Sequence, residues 1–147
     1  MTADPLRWLW AAIAVALWLG IVAAVVGGRV RARADQPHGG TWLMFGERTF
    51  AYDAFLDEEL RAALASGLLT RLDRAFSRDS GDGRYVQHLI AQHTDELISW
   101  VDRGAVILVC GSLEGMSQGV HAALEAALGA DRLLTLTETG RYRRDVY

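Results

Sequence analysis

An α/β fold, with a small parallel sheet flanked by helices on both faces and carried behind one transmembrane helix, is what this sequence predicts. Three observations predict it. A charge-free apolar run fills Trp8–Gly28. From Thr41 onward, short apolar runs alternate with stretches whose apolar residues recur at helical spacing, the pattern of right-handed β-α-β crossovers. Ala105–Cys110 (AVILVC) is apolar on both faces, as an inner parallel strand requires.

The elements follow in order. The run WLWAAIAVALWLGIVAAVVGG holds twenty-one residues without a charge or a proline. As a helix it would span about 30 Å, the thickness of the hydrocarbon core. A signal peptide has a shorter apolar core and a small-residue cleavage site, and a buried soluble helix seldom lacks any polar face over six turns. Residues 1–30 therefore read as a single-pass membrane helix. Trp8 and Trp10 stand at an interface, whereas Trp18 falls near the middle and has no such explanation. Arg7 precedes the run and Arg29, Arg31 and Arg33 follow it, which favours a cytoplasmic C-terminal side.

Residues 31–40 are polar, contain Pro37, Gly39 and Gly40, and read as a linker. Thr41–Phe45 is a strand candidate. Tyr52–Ser66 is a helix with Phe55, Leu56, Leu60 and Leu64 on one side and Gly67 as its C-cap. Leu69–Phe76 is a second strand candidate. Tyr85–Val101 is a helix with Val86, Leu89, Ile90, Leu97 and Val101 on one stripe, and Ala105–Cys110 is the third strand. Met116–Leu128 and Ala130–Glu138 complete the helices. Three strands make a thin sheet whose edges need cover, a first sign that the domain over residues 41–147 is incomplete.

Composition narrows the function. The 147 residues carry a net charge of -3 and a pI near 5.8, which argues against a nucleic-acid binder with a basic face. A single cysteine, Cys110, excludes an internal disulfide and suits a reducing compartment. His38, His88, His93 and His121 form no metal-ligand spacing with it, and His88 and His93 miss the i,i+4 face of a helical zinc pair. Neither a nucleophile elbow nor a Walker glycine loop occurs.

Ligands of open α/β sheets bind beyond the carboxyl ends of the strands. Three clusters follow the predicted strands: Gly46-Glu47-Arg48, Ser77-Arg78-Asp79 and Cys110-Gly111-Ser112. An arginine and a hydroxyl at such a position can grip a phosphate through charge-assisted hydrogen bonds. Individually, Arg48 or Arg78 is more often a solvated surface arginine, and Cys110 a small buried hydrophobe.

Five motifs occur in a set order: FGER (Phe45–Arg48), LTRLDRAFSRD (Leu69–Asp79), RYVQH (Arg84–His88), GAVILVCGSLEGM (Gly104–Met116) and the terminal RYRRDVY (Arg141–Tyr147). Over about 105 residues this order and spacing resemble the diflavin reductases, the sulfite reductase flavoprotein subunits and cytochrome P450 reductases. The resemblance implies the NADP-binding module of a ferredoxin-NADP reductase-like fold. It implies that Arg48 contacts the phosphates of NADPH and that Ser77 and Arg78 grip its 2′-phosphate. Tyr85 and Gln87 would stand at the adenine end, with Arg84, Gly111 and Met116 also against the cofactor. Cys110 would lie near the nicotinamide, Asp145 would assist hydride transfer, and Tyr147 would stack on the flavin. Members of the family usually carry a lysine two residues before the tyrosine. This chain has Gly83 there and Arg84 beside it, which implies that the third cation of the phosphate site is either shifted or weakened.

Against that family the chain lacks an FMN-binding flavodoxin-like domain, an FAD-binding barrel, and the first strand of the NADPH domain with its glycine-rich turn. Val26-Gly27-Gly28 is a poor substitute for that turn. The reading is a membrane-anchored NADPH-binding, hydride-transfer module, inactive alone, that needs FAD and FMN from a flavin-bearing partner and passes electrons to a downstream acceptor. A non-catalytic membrane-anchored nucleotide-binding or interaction module, and a decayed product, are the competing readings. The cofactor reading requires that loops leaving two adjacent parallel strands present Ser77-Arg78 and Cys110 to opposite ends of one dinucleotide.

Overall fold

The structure, a computed structural model, describes residues 40–146 apart from 54, 55, 80, 82 and 112–114. The predicted membrane helix (1–30), nearly all of the linker (31–40), Ser112 and Tyr147 lie outside the described residues. Among the described residues, no helix is long and apolar enough to cross a membrane.

Among the described residues, ten elements follow one another: β1 (Trp42–Glu47), α1 (Phe50–Asp53), α2 (Asp57–Ala65), β2 (Arg71–Phe76), α3 (Val86–Gln92), α4 (Thr94–Asp102), β3 (Ile107–Gly111), α5 (Met116–Leu128), α6 (Ala130–Glu138) and β4 (Tyr142–Val146). The α/β class and the parallel pairing hold. The expected three-stranded sheet does not. Among the described residues, β1 pairs in parallel with β2, and β3 in parallel with β4, as two separate ladders. Ser77 and Cys110 therefore leave strands that are not hydrogen-bonded neighbours. Hydrophobic period identifies a strand but carries no information about its partner, which non-local packing decides.

Strand pleating sorts the first ladder into two faces. Trp42 and Met44, with Arg71, Asp73 and Ala75 opposite, face the side of α3 and α4. The Trp42 ring lies 5.7 Å from Trp100 and 6.0 Å from His93, and its Nε1 donates to Asp73 Oδ2 at 2.6 Å. Glu47, Arg74 and Phe76 face α1 and α2, where Arg74 reaches Asp57 and the Phe76 ring meets Phe50. Helices thus cover both faces, as the alternation predicts.

The main core gathers Ile90, Leu97 and Val101 from α3 and α4, Val109 from β3, Val120, Leu124 and Leu128 from α5, Leu133 and Leu136 from α6, and Tyr142 from β4. Burying one such side chain contributes about 1.5–3 kcal/mol. Helices α5 and α6 coincide with their predicted spans, and Gly67, at φ 77°, follows the end of α2 as expected.

Two predicted helices are divided. Tyr52–Ser66 appears as α1 and α2. Tyr85–Val101 breaks at His93, whose φ of -114° and ψ of 31° end α3 and begin α4. There the Thr94 hydroxyl donates to the carbonyls of Ile90 and Ala91, competing with the helix ladder, while the His93 ring packs against Trp42 and Arg71. Strand β4 was missed because RYRRDVY looks like a polar tail. In β4, Tyr142 is the core residue, while Arg143, Arg144 and Asp145 are exposed.

Candidate functional site

The carboxyl ends of β1 and β2 are sewn together. The Ser77 N–H donates to Glu47 O at 2.9 Å and the Arg78 N–H to Arg48 O at 2.8 Å, so the parallel ladder continues into both loops. The Phe50 N–H donates to Asp79 Oδ2 at 2.7 Å, which caps the entry to α1 from the opposite loop. Two of the clusters picked out in the sequence thus form one structure.

They enclose a cleft of about 190 Å³ whose walls include Arg48, Ser77, Arg84, Tyr85 and Met116. Arg84 is held there by donating Nη2 to Gln92 Oε1 at 2.6 Å. Tyr85 precedes α3 in an extended conformation, and its N–H donates to His88 Nδ1 at 3.0 Å. Half of the Tyr85 side chain is exposed, with one ring contact to His88 at 5.8 Å. Two guanidinium groups, a hydroxyl and an accessible aromatic face around one small cleft can hold a phosphate next to a flat ring.

Gln87, predicted at the adenine end, packs against α5. A Cβ at Gly119 would lie 3.0 Å from its Nε2, so the amide packs on α5, and its Oε1 is buried without a partner. Arg78 is exposed and joins the cleft's loop through its backbone, outside the lining itself.

Cys110 and Asp145 are register partners across β3 and β4, and both are exposed. Gly111 is buried beside Cys110 with φ 147°. A Cβ there would come within 2.0 Å of Met116 Cε. Met116 therefore lies over the end of β3 while also lining the cleft of Arg48 and Ser77.

Sequence reasoning missed Arg74. Its Nη2 donates to Glu47 Oε2 at 2.6 Å, and the two side chains are 13% and 7% exposed. The available signal was a charge inside an otherwise strand-like run, which needs a partner when buried. A second depression, about 400 Å³ and lined by Arg71, Glu96, Trp100 and Arg103, lies by the amino ends of β1 and β2. Arg71 is already engaged there by Asp73 and Glu96.

Among the described residues, one titration departs from its ordinary value. Burial pushes the Tyr142 hydroxyl up, partly offset by the Arg144 cation. The hydroxyl meets His121 Nδ1 at 3.0 Å, with the two rings stacked at 5.8 Å.

The profile of oxidoreductase NAD-binding domains matches residues 23–122. The chain belongs to that family. The match begins inside the apolar run, so residues 23–28 belong to both. The chain is 38% identical over 119 residues to a sulfite reductase [NADPH] flavoprotein alpha-component of Vibrio vulnificus, covering 74% of this chain and 19% of that one. It is 37% identical over 124 residues to the protein of the same name from Yersinia enterocolitica, covering 78% and 21%. The Bacillus subtilis protein of that name is 34% identical over 119 residues, covering 74% and 20%. The chain thus spans about a fifth of the length of these relatives.

Proposed function

We propose that this chain is the NADPH-docking module of a flavoprotein reductase, gripping the 2′-phosphate at the β1–β2 loops and directing the nicotinamide toward Cys110 and Asp145. One observation carries this reading. Met116 lines the phosphate cleft and also covers Gly111, so both ends of an extended dinucleotide can share one surface although β2 and β3 belong to separate ladders.

In this reading Arg48, Arg84 and the Ser77 hydroxyl take the 2′-phosphate, with Arg78 contributing from the rim. An unphosphorylated dinucleotide would leave those groups without a return bond, which is the physical basis of selection. The Tyr85 face stacks on the adenine. NADPH supplies a hydride, and a flavin carried by a partner receives it. Cys110 and Asp145 border the place where the hydride leaves. The relatives' names, which include NADPH and flavoprotein, support the pairing. The apolar run Trp8–Gly28 would anchor the module to a lipid bilayer, with the domain on the cytoplasmic side.

The test is retention of the full chain on immobilised 2′,5′-ADP, followed by elution with NADPH and with NADH. Elution by NADPH at a concentration at least tenfold below that required for NADH is expected. NADPH oxidation should then require added FAD or a flavin-bearing partner together with an electron acceptor. Equal elution by both nucleotides overturns the assignment. Flotation of the chain with liposomes tests the anchor, and recovery wholly in the unbound fraction refutes it.

A further inference from the structure

Behind the cleft that would receive the phosphate, on the α1–α2 face of the ladder, lies a buried carboxylate. Glu47 is among the residues lining the cleft, beside Arg48 and Ser77, while its side chain lies on the face of Arg74 and Phe76 and is only 7% exposed. In so dry a position an uncompensated carboxylate repels an approaching dianion several times more strongly than it would in water. Arg74 compensates it. Its guanidinium donates to Glu47 at 2.6 Å and to Asp57 at 2.5 Å, and lies 5.0 Å from the Phe76 ring centre and 5.6 Å from that of Phe50. Asp57 has a second cation in Arg61 at 2.9 Å. Two arginines therefore balance two carboxylates, and loss of Arg74 leaves the cluster negative beside the cleft.

Stability alone is a poor reason for this arrangement. Apolar residues of similar volume usually replace a buried ion pair at no loss, and Arg74 Nε is buried without a partner. The Glu47 backbone does have a structural task, because its carbonyl fixes the Ser77 loop. Its side-chain charge is what needs an answer.

We infer that Arg74 is a specificity-determining positioning residue: by holding and neutralising Glu47 it lets the cleft prefer a 2′-phosphorylated adenine nucleotide over one without that phosphate. This rests on the NADPH reading above. Arg74 acts through Glu47 and need not touch the nucleotide.

The experiment measures dissociation constants of the full chain for 2′,5′-ADP and for 5′-AMP by calorimetry, and the readout is their ratio. Wild type should favour 2′,5′-ADP; absence of any preference refutes the NADPH reading itself. Given that preference, Arg74→Met should reduce the ratio about tenfold, and Glu47→Gln/Arg74→Met should restore it to within about threefold of wild type. An Arg74→Met variant that keeps the full ratio overturns the inference while leaving the NADPH reading intact. Should Arg74→Met not fold, Glu47→Gln is compared with the double variant. With residue 47 already neutral, removing Arg74 should change the ratio less than about threefold, and a loss of tenfold there shows that Arg74 acts otherwise than through the Glu47 charge.

Discussion

Gly111→Ala tests the junction on which the site depends. The backbone at Gly111 has φ 147°, a region that L side chains rarely occupy, and forcing one into it costs about 1–3 kcal/mol. A Cβ would also fall 2.0 Å from Met116 Cε and 3.7 Å from its Sδ. That collision is with the tip of a flexible side chain, so it is relieved by a rotamer change costing about 0.5–1.5 kcal/mol. Together the two effects destabilise the fold by about 1.5–4.5 kcal/mol. Urea unfolding of the full chain, followed by tryptophan fluorescence, measures the loss from the shift in midpoint at constant slope. In a Met116→Ala background the collision is absent but the backbone strain remains, so Gly111→Ala should still cost about 1–3 kcal/mol. Binding provides a second readout. NADPH should weaken by a larger factor than 2′,5′-ADP, because the shorter ligand ends at the phosphate cleft. A destabilisation below about 0.5 kcal/mol in both backgrounds would refute the reasoning about strain. Equal weakening of both ligands would refute the placement of the nicotinamide near Gly111.

Three further outcomes follow from the same geometry. Leu124, 2% exposed in the main core, should cost about 2–5 kcal/mol when truncated to Ala, measured by the same unfolding curve. Ser77→Ala should lower affinity for 2′,5′-ADP by about tenfold or more, the worth of a hydrogen bond to a charged group, while 5′-AMP binding, measured by calorimetry, stays within about threefold. Because burial raises the Tyr142 pKa above its ordinary 10.0, the unfolded chain loses that proton first as pH rises. The associated stability is complete below about pH 10 and declines above it; Tyr142→Phe should flatten this part of the curve between about pH 9 and pH 11, and an unchanged slope refutes the assignment.

Local pattern made much of the fold legible. Strands β1 and β3 are short, mainly apolar runs, and α5 and α6 show helical period with glycines at their boundaries, so propensity and burial agree. The break at His93 was not legible, because it depends on Thr94 hydrogen bonds and on packing against Trp42, a residue 51 positions earlier in the chain. Nor was β4, whose exposed face is charged and whose buried contribution rests on Tyr142. In the site, Arg48, Ser77, Arg84, Tyr85 and Met116 do meet at one cleft. That Gln87 packs on α5 was not legible, since a helix position fixes direction only when the neighbouring helix is known. The Arg74–Glu47 pair escaped notice because its partners lie 27 residues apart and a charge in a strand-like run reads as solvent-facing.

The separation of the two ladders has a mechanical consequence. The proposed phosphate grip follows β1 and β2, whereas Cys110 and Asp145 ride on β3 and β4, and among the described residues no backbone hydrogen-bond ladder links the two pairs. What relates them is side-chain packing: Met116 over Gly111 at the cleft, Gln87 against Gly119, and Trp42 and Met44 against the core that holds Val109. Packing of this kind resists compression but yields to lost volume more readily than a continuous ladder does. Cavity-forming changes in α5 should therefore disturb the spacing between phosphate and nicotinamide ends before they unfold the domain. They would weaken the whole dinucleotide while sparing its 2′-phosphate half.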